Sequence, residues 1–296
     1  MKHTTKLLAF AAVVGIFACN TKGSEKDVME SAINQDKRSN IPMTVPDTTA
    51  PSNWTQVLLE TDYGNITIAL NPATPKHTAN FIKLVKEKYY DGVLFHRVIP
   101  GFMIQTGDPV SKTAKPDQPL GEGGPNYKIP AEFVDTLYHF KGALAAARQG
   151  DEFNPMKMSS GSQFYIVTGT AVDENSWKGM IEQTAIKEFI ARPENREWAL
   201  KINTAIEIGN QAAIDQAINE IKPLAKPTID SVWNSIPTQV KNIYASWGGT
   251  PFLDKNYTVF GKVTKGYYVL DKIQNVERNQ ADRPKSDIRI KKATLL

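Results

Sequence analysis

The segment from residue 95 to residue 108 combines large apolar side chains with one guanidinium and one amide. Its sequence is Phe-His-Arg-Val-Ile-Pro-Gly-Phe-Met-Ile-Gln-Thr-Gly-Asp. Burying an unpaired charge is costly, so Arg97 does not suit a core strand. Such a combination is typical of a ligand pocket, which is mostly apolar and has a few placed polar groups. The alternative is an amphipathic strand from which Arg97 extends into water.

His96 is the candidate for proton transfer in this segment. Side chains alternate along a strand, so His96 is expected to point away from the face that holds Arg97. We therefore favour a structural, hydrogen-bonded His96 over a general base. The other histidines, His3, His77 and His139, do not have the spacing of metal ligands. We expect neither a metal nor a cofactor.

The composition is that of an ordinary soluble globular protein. The chain has 296 residues, of which 41% are hydrophobic and 22% charged, and its formal net charge is +4. This length accommodates one large domain or two small ones. Lysine and arginine form no continuous basic stripe in the sequence, so a nucleic acid is not among the expected partners.

Residues 1–18 are predicted to be a lipoprotein signal peptide. Lys2 and Lys6 precede an apolar stretch, 7–18, that is too short to span a bilayer. The stretch ends at Ile-Phe-Ala-Cys, which resembles a bacterial lipobox. We expect cleavage before Cys19 and lipidation of its sulfur; an ordinary secretory signal followed by a chance cysteine is the alternative. Because the sequence contains a single cysteine, an internal disulfide is excluded.

Residues 19–54 are predicted to be a disordered tether. They are rich in Ser, Thr, Asn, Asp and Lys, and prolines interrupt any periodicity. Such a stretch cannot bury enough apolar surface to offset the entropy lost on ordering it. A lipid on Cys19 would then hold a folded domain, 55–296, away from a membrane surface.

The remainder of the chain is rich in short strand patterns. Strands are predicted at 57–61 and 66–70, within 95–108, and at 142–148, 162–168, 258–264 and 288–295. A helix is predicted at 77–90, and a short helix or turn at 267–273. Many short strands and few helices favour a β-barrel or a β-sandwich.

A helical block interrupts this pattern at about 171–249. Four apolar stripes with helical spacing begin at Trp177, Trp198, Ile214 and Val240. Pro223 is expected to end the third stripe, and Gly248 with Gly249 the fourth. The block is therefore predicted to be a set of helices inserted into a mainly β domain.

Three ordered motifs resemble the cyclophilin-type peptidyl-prolyl cis-trans isomerases, in their compact bacterial form. The first motif is the segment 95–108. The second is Gly-Ser-Gln-Phe-Tyr-Ile at 161–166, and the third is Leu-Asp at 253–254 followed by Val-Phe-Gly-Lys-Val at 259–263. The resemblance covers about 56–296, apart from the helical block.

The resemblance implies a closed eight-stranded antiparallel barrel capped by two helices, with the active site on its outer face. It makes Arg97 the main catalytic residue and assigns Gln105 to the site. We expect Gln105, the second predicted catalytic residue, to position the guanidinium and to accept a hydrogen bond from the substrate backbone. It places the hydroxyl of Tyr165 at the rim of the proline pocket. The substrate-binding residues that it implies are Phe102, Met103, Ala147, Arg148, Gln163, Tyr165, Phe252, Leu253 and Tyr257.

Three of these positions depart from a common family pattern. Phe252 stands where eukaryotic members commonly carry Trp, and Tyr257 where they commonly carry His. Arg148 stands where the family often has Asn. These differences leave the implied catalytic Arg97 in place.

The implied reaction needs no nucleophile, metal or cofactor. The peptide bond before proline is planar, and a barrier of roughly 18–20 kcal/mol opposes its rotation. An apolar pocket can hold the proline ring while Arg97 donates hydrogen bonds that favour the twisted amide. The rigid fork of arginine suits this role better than lysine. Because the reaction transfers no proton, it does not require His96 as a base.

The leading interpretation is a lipid-anchored isomerase acting on proline-containing, unfolded or partly folded polypeptides in the bacterial cell envelope, facing the periplasm. A non-catalytic proline-peptide binding module or chaperone on the same scaffold is the alternative; a third reading makes the helical block the functional part. The block begins just after the predicted strand that carries Tyr165 and ends just before Phe252. It should therefore lie beside the substrate groove, as an extension of the binding surface or as a passive insertion.

Overall fold

The structure is a computed structural model that describes residues 46–296. Its strands are β1 Thr55–Thr61, β2 Gly64–Leu70, β3 Arg97–Ile99, β4 Met103–Thr106, β5 Lys128–Ile129, β6 Ala143–Ala146, β7 Ser159–Ser160, β8 Phe164–Val167, β9 Val259–Lys265 and β10 Ile290–Leu295. Its α-helices are α1 Pro75–Lys86, α2 Glu174–Ala191, α3 Arg196–Glu207, α4 Gln211–Ser235, α5 Thr238–Ser246 and α6 Tyr267–Gln274.

Eight of the strands form one antiparallel sheet in the order β10-β1-β2-β9-β6-β8-β4-β3. The segment before β3 links the two ends of the sheet: the Ile290 amide donates to the Val93 carbonyl at 2.9 Å, and the Phe95 amide to the Ile288 carbonyl at 2.9 Å. The predicted mainly β fold with eight antiparallel strands is therefore confirmed. The difference is that a short bridging segment, and not a continuous ladder between β3 and β10, closes the gap.

The sheet curls around an apolar core to which the two capping helices contribute. On β1, Val57 and Leu59 are fully buried, whereas Leu58 between them is partly exposed. The buried helix side chains are Phe81, Leu84 and Val85 from α1, and Val269, Leu270 and Ile273 from α6. α1 ends earlier than predicted because Lys88, with a φ of 55°, takes a left-handed conformation that a helix cannot continue.

The helices α2 to α5 form the inserted block, which confirms this part of the predicted fold class. The expectation that Pro223 ends the third helix is wrong, because α4 continues through both Pro223 and Pro227 to Ser235. A proline removes one helical hydrogen bond and crowds the preceding turn. The buried residues Ala217 and Ile221 pack α4 into the core of the block, and this tertiary packing overrides the local signal.

An aromatic cluster joins the block to the barrel. The rings of Trp177 on α2 and Tyr244 on α5 lie 4.9 Å apart, and the Tyr244 ring lies 4.7 Å from that of Phe140. α2 also contacts the short 3-10 turn Pro251–Leu253. The block therefore lies beside the turn that carries Leu253.

The predicted signal peptide 1–18 and Cys19 lie outside the described residues, as does most of the predicted tether. Residues 46–54 form neither helix nor strand, and the Lys262 ammonium donates to the Asp47 carbonyl at 2.6 Å. Among the described helices, none combines the length and the apolar character that crossing a membrane requires.

Gly107, directly after β4, gives a test of the fold. Its φ is +93°, and a Cβ at this position would meet the carbonyl oxygen of Ser162. We expect Gly107→Ala to lower the free energy of unfolding by about 2 kcal/mol or more, through backbone strain and steric overlap. Gly150→Ala is the matched control because nothing lies within 4 Å of its added Cβ. Urea denaturation compares the two variants, and equal stabilities would contradict the packing at Gly107.

Candidate active site

Strand register places three functional side chains in one row across the sheet. Arg97 on β3 pairs with Gln105 on β4, and Gln105 pairs with Tyr165 on β8. Residues paired directly across antiparallel strands present their side chains on the same face. The fold thus brings together residues that lie up to 68 positions apart in the sequence.

This row borders a cavity of about 260 Å³. The residues predicted from the sequence that line it are Arg97, Phe102, Met103, Gln105, Ala147, Arg148, Tyr165, Leu253 and Tyr257. Gln163 lines an adjoining cavity of about 370 Å³ instead. Phe252 lines neither cavity; its side chain is 48% exposed, and its ring lies 5.6 Å from the ring of Phe102.

The Arg97 guanidinium is available to a ligand. Its side chain is 45% exposed, and in the described part of the chain its one ion-pair contact is with Asp282, at 3.8 Å from Nε. That separation is too long for a hydrogen bond of good geometry. The N–H groups of Arg97 can therefore turn towards a group in the cavity.

Arg148, the second arginine of the cavity, is held by the protein. Its Nε donates to the carbonyl of Asn256 at 2.8 Å, and its Nη1 pairs with Asp151. The guanidinium also lies 4.3 Å from the centre of the Tyr257 ring, a cation–π contact. Arg148 therefore acts as a fixed wall, which leaves Arg97 as the better donor to a substrate.

In the described residues the Gln105 side chain makes no hydrogen bond to Arg97, whose guanidinium we expected it to position. The Nε2 group of Gln105 instead donates to Oε1 of Gln163 at 3.1 Å. Gln163 in turn donates to the carbonyls of Gly121 and Gly123 at 2.8 and 2.7 Å. This chain of amides fixes the Gln105 side chain and leaves its amide oxygen as a possible acceptor for a substrate backbone.

The apolar side of the cavity is a small cluster of its own. Its buried members are Met103, Ala143, Ala145, Ala147, Tyr165, Val167, Leu253 and Val259, with Phe102 packed against them. The sequence analysis placed the hydroxyl of Tyr165 at the rim of the pocket, and this expectation is wrong. The hydroxyl lies 3.1 Å from Nε2 of buried His139, so the ring presents carbon atoms to the cavity.

His96 differs from its prediction in two ways. It lines the cavity together with Arg97, although strand alternation predicted the opposite side. It is 96% buried (4% exposed), and neither ring nitrogen has a hydrogen-bond partner of good geometry in the described residues. The expected hydrogen-bonded His96 is therefore wrong. Burial lowers the pKa of His96 to about 4, so the ring is neutral at neutral pH.

Sequence reasoning missed the loop that covers His96. Leu120, Gly121 and Glu122 line the cavity, as does Ala281. The loop lacks periodicity, so it offered no strand or helix signal. One signal was present in Asp108, the last residue of the first motif, whose Oδ2 accepts the Gly121 amide at 2.6 Å. A carboxylate that closes a motif can organise a distant loop, but its partner is not readable from sequence.

Comparisons with known proteins agree with the motifs. A family model described as "Cyclophilin type peptidyl-prolyl cis-trans isomerase/CLD" matches residues 56–188 and 232–295. The unmatched residues between these two ranges contain α3 and most of α4.

Two relatives match most of this chain. A Streptococcus pyogenes protein named as a bifunctional phosphatase/peptidyl-prolyl cis-trans isomerase is 32% identical over 236 residues, covering 79% of this chain but only 37% of its own length. A Staphylococcus saprophyticus protein named as a peptidyl-prolyl cis-trans isomerase is 30% identical over 239 residues, covering 80% of this chain and 90% of that protein. The chain thus spans little more than a third of the first relative.

A solved structure is also similar. The crystal structure of a cyclophilin-type peptidyl-prolyl cis-trans isomerase from Cryptosporidium parvum aligns with a TM-score of 0.49 and 20% sequence identity. The alignment covers 82% of this chain and 98% of that one.

The burial of neutral His96 predicts a pH-dependent stability. Its pKa is lowered on folding from 6.5 to about 4, so below pH 6.5 the unfolded chain binds a proton that the folded chain does not. Stability is therefore lost as the pH falls, by roughly 2 kcal/mol between pH 7.5 and pH 5 for this group. The variant His96→Leu lacks this contribution. Urea denaturation at both pH values should show a smaller loss for the variant; equal losses would contradict the burial of a neutral His96.

Proposed function

This chain belongs to the cyclophilin-type peptidyl-prolyl cis-trans isomerases, and we propose that the cavity beside Arg97 accelerates rotation about Xaa-Pro bonds in extracytoplasmic polypeptides. The family and the enzyme class predicted from the sequence are confirmed. The residue roles, the clients and the cellular location belong to the proposal.

The observation that carries the proposed mechanism is an available guanidinium beside an apolar wall. Rotation needs the nitrogen lone pair to leave conjugation with the carbonyl. The wall of Met103, Tyr165 and Leu253 holds the proline ring, while Arg97 donates hydrogen bonds to the proline carbonyl and towards the pyramidal nitrogen. No bond to the protein forms and no proton moves.

The same arrangement distinguishes an enzyme from a binding module. A module that only binds proline peptides needs the apolar wall and donors for the peptide backbone. Arg97 lies at the wall beside a fixed Gln105, and its one ion-pair contact in the described residues, with Asp282, is as long as 3.8 Å. It therefore adds a donor that can act on the reacting amide. A protease-coupled isomerisation assay on an Xaa-Pro peptide separates the two functions, because binding without turnover would favour the module.

The proposed location rests on the sequence before residue 55. The short apolar stretch ending at Cys19, followed by a polar, proline-containing segment, is typical of a lipoprotein that extends its folded domain from a membrane. In this proposal the protein is anchored in the bacterial cell envelope and faces the periplasm. Its clients are proline-containing polypeptides that fold there.

Removing the guanidinium tests the proposed mechanism. We expect Arg97→Ala to fold and to lose activity by a factor on the order of one hundred or more, because one well-placed donor is worth this much. Arg196→Ala is the matched control, since Arg196 is exposed at the start of α3 and lines neither cavity. Near-full activity of Arg97→Ala, in protein shown to be folded by circular dichroism, would contradict the role of Arg97.

Mass spectrometry of the native N-terminal peptide tests the anchor. We expect the mature chain to begin at Cys19 with a diacylglyceryl group on its sulfur, because stable anchoring takes more than one acyl chain. Cys19→Ser should release the protein into the soluble fraction. An unmodified Cys19 in the membrane fraction, or cleavage elsewhere, would overturn the proposed anchor.

A further inference from the structure

The Asp254 carboxylate connects the inserted block to the barrel. Its Oδ2 accepts the hydroxyl proton of Tyr244 at 2.7 Å, and Tyr244 belongs to α5 of the block. Its Oδ1 accepts the backbone amide of His139 at 2.8 Å and is 2.9 Å from Nδ1 of the same residue. One carboxylate thus receives donors from two separate parts of the chain.

The connection continues into the wall of the cavity. A carboxylate can only accept hydrogen bonds, so Nδ1 of His139 carries the donated proton. The other ring nitrogen, Nε2, lies 3.1 Å from the Tyr165 hydroxyl oxygen, within hydrogen-bonding distance. The result is a chain of hydrogen bonds that runs from Tyr244 through Asp254 and His139 to Tyr165.

Three of the four members of this chain are buried, and the side chain of the fourth, Asp254, is 16% exposed. Tyr244 and His139 are fully buried, and Tyr165 is 4% exposed. Tyr244 is held from within the block by Trp177 and through its carbonyl, which accepts the Val172 amide at 2.9 Å. A buried polar group that loses its partner keeps the full cost of desolvation, so each link strongly favours one orientation of the next.

We propose that Tyr244 is a positioning residue of the isomerase site, which the inserted block supplies to the barrel. It fixes Asp254, and through Asp254 and His139 it holds the Tyr165 ring in the orientation that receives the proline. This inference rests on the proposed function. It gives the block a role in the site itself, instead of a role only as a surface for clients.

The test removes the Tyr244 hydroxyl and leaves its ring. Tyr244→Phe leaves Asp254 with one donor fewer and loosens Tyr165, which binds the substrate in both ground and transition states. We expect KM for an Xaa-Pro tetrapeptide to rise about threefold to tenfold while kcat stays within about twofold. Arg97→Ala should show the opposite pattern, with kcat as the main loss.

Tyr267→Phe is the matched control. Its hydroxyl is a partly buried donor, to the Val263 carbonyl at 2.9 Å, and Tyr267 does not line the cavity. We expect this variant to keep the wild-type KM and kcat. A general loss of stability would act on both tyrosine variants, whereas a positioning role acts on Tyr244→Phe alone.

Two further measurements test the proposal in case Tyr244→Phe alone is not conclusive. If Tyr244→Phe does not fold, Asp254→Asn breaks the chain at its centre and should raise KM in the same way. In a double-mutant cycle, the effect of Tyr244→Phe on KM should largely vanish in a Tyr165→Phe background, because the chain is already broken. Additive effects, or a wild-type KM in both Tyr244→Phe and Asp254→Asn, would overturn the proposal.

A readout independent of turnover separates this inference from the proposed function. The side-chain Nδ1 proton resonance of His139 in an NMR spectrum should shift in Tyr244→Phe and remain in place in Tyr267→Phe. If the wild-type protein shows no isomerase activity, the proposed function fails while this resonance still reports the chain of hydrogen bonds. If activity is present but the resonance and KM do not respond to Tyr244→Phe, the positioning role fails alone.

Discussion

The register between β3, β4 and β8 is the constraint on which the site depends. Val98 and Ile104 pair with each other one position along from Arg97 and Gln105, and both are fully buried. Because strand side chains alternate, a slip by one residue would turn Arg97 into the core and Val98 towards the cavity. The free energy of burying these two apolar residues therefore holds the guanidinium on the outer face. The register that buries Val98 and Ile104 on the core face is the same register that places Arg97 on the opposite face.

This dependence explains why the motif at 95–108 predicted both the strands and the site residues. The alternation from Arg97 to Val98 and from Ile104 to Gln105 encodes both the core face and the functional face, so the row of site residues followed from local pattern and family resemblance. The strands and the two capping helices were predictable for the same reason. The helix through Pro223 was not, because its continuation depends on burial of residues such as Ile221 against helices distant in sequence.

The remaining departures depend on partners that no local pattern identifies. The Tyr165 hydroxyl points inward, towards His139. His139 is held there by Asp254, which follows the inserted block in the sequence. The His96 ring lies against Gly121, in the loop that Asp108 organises, and its nitrogens have no hydrogen-bond partner in the described residues. The inserted block therefore packs closely on the barrel. It contacts the turn that carries Leu253, and its Trp177 and Tyr244 share an aromatic cluster with Phe140.

The neutral state of His96 has an electrostatic consequence for its neighbour. Burial is the main reason that its pKa is lowered, and the charge of Arg97 lowers the pKa further. A protonated His96 would repel the guanidinium and attract water to the cavity. Because Arg148 is already neutralised by Asp151, a neutral His96 leaves Arg97 as the positive charge that faces the apolar wall. A donor beside an apolar wall acts in a lower effective dielectric than that of bulk water, so its hydrogen bond to a twisting amide is stronger there.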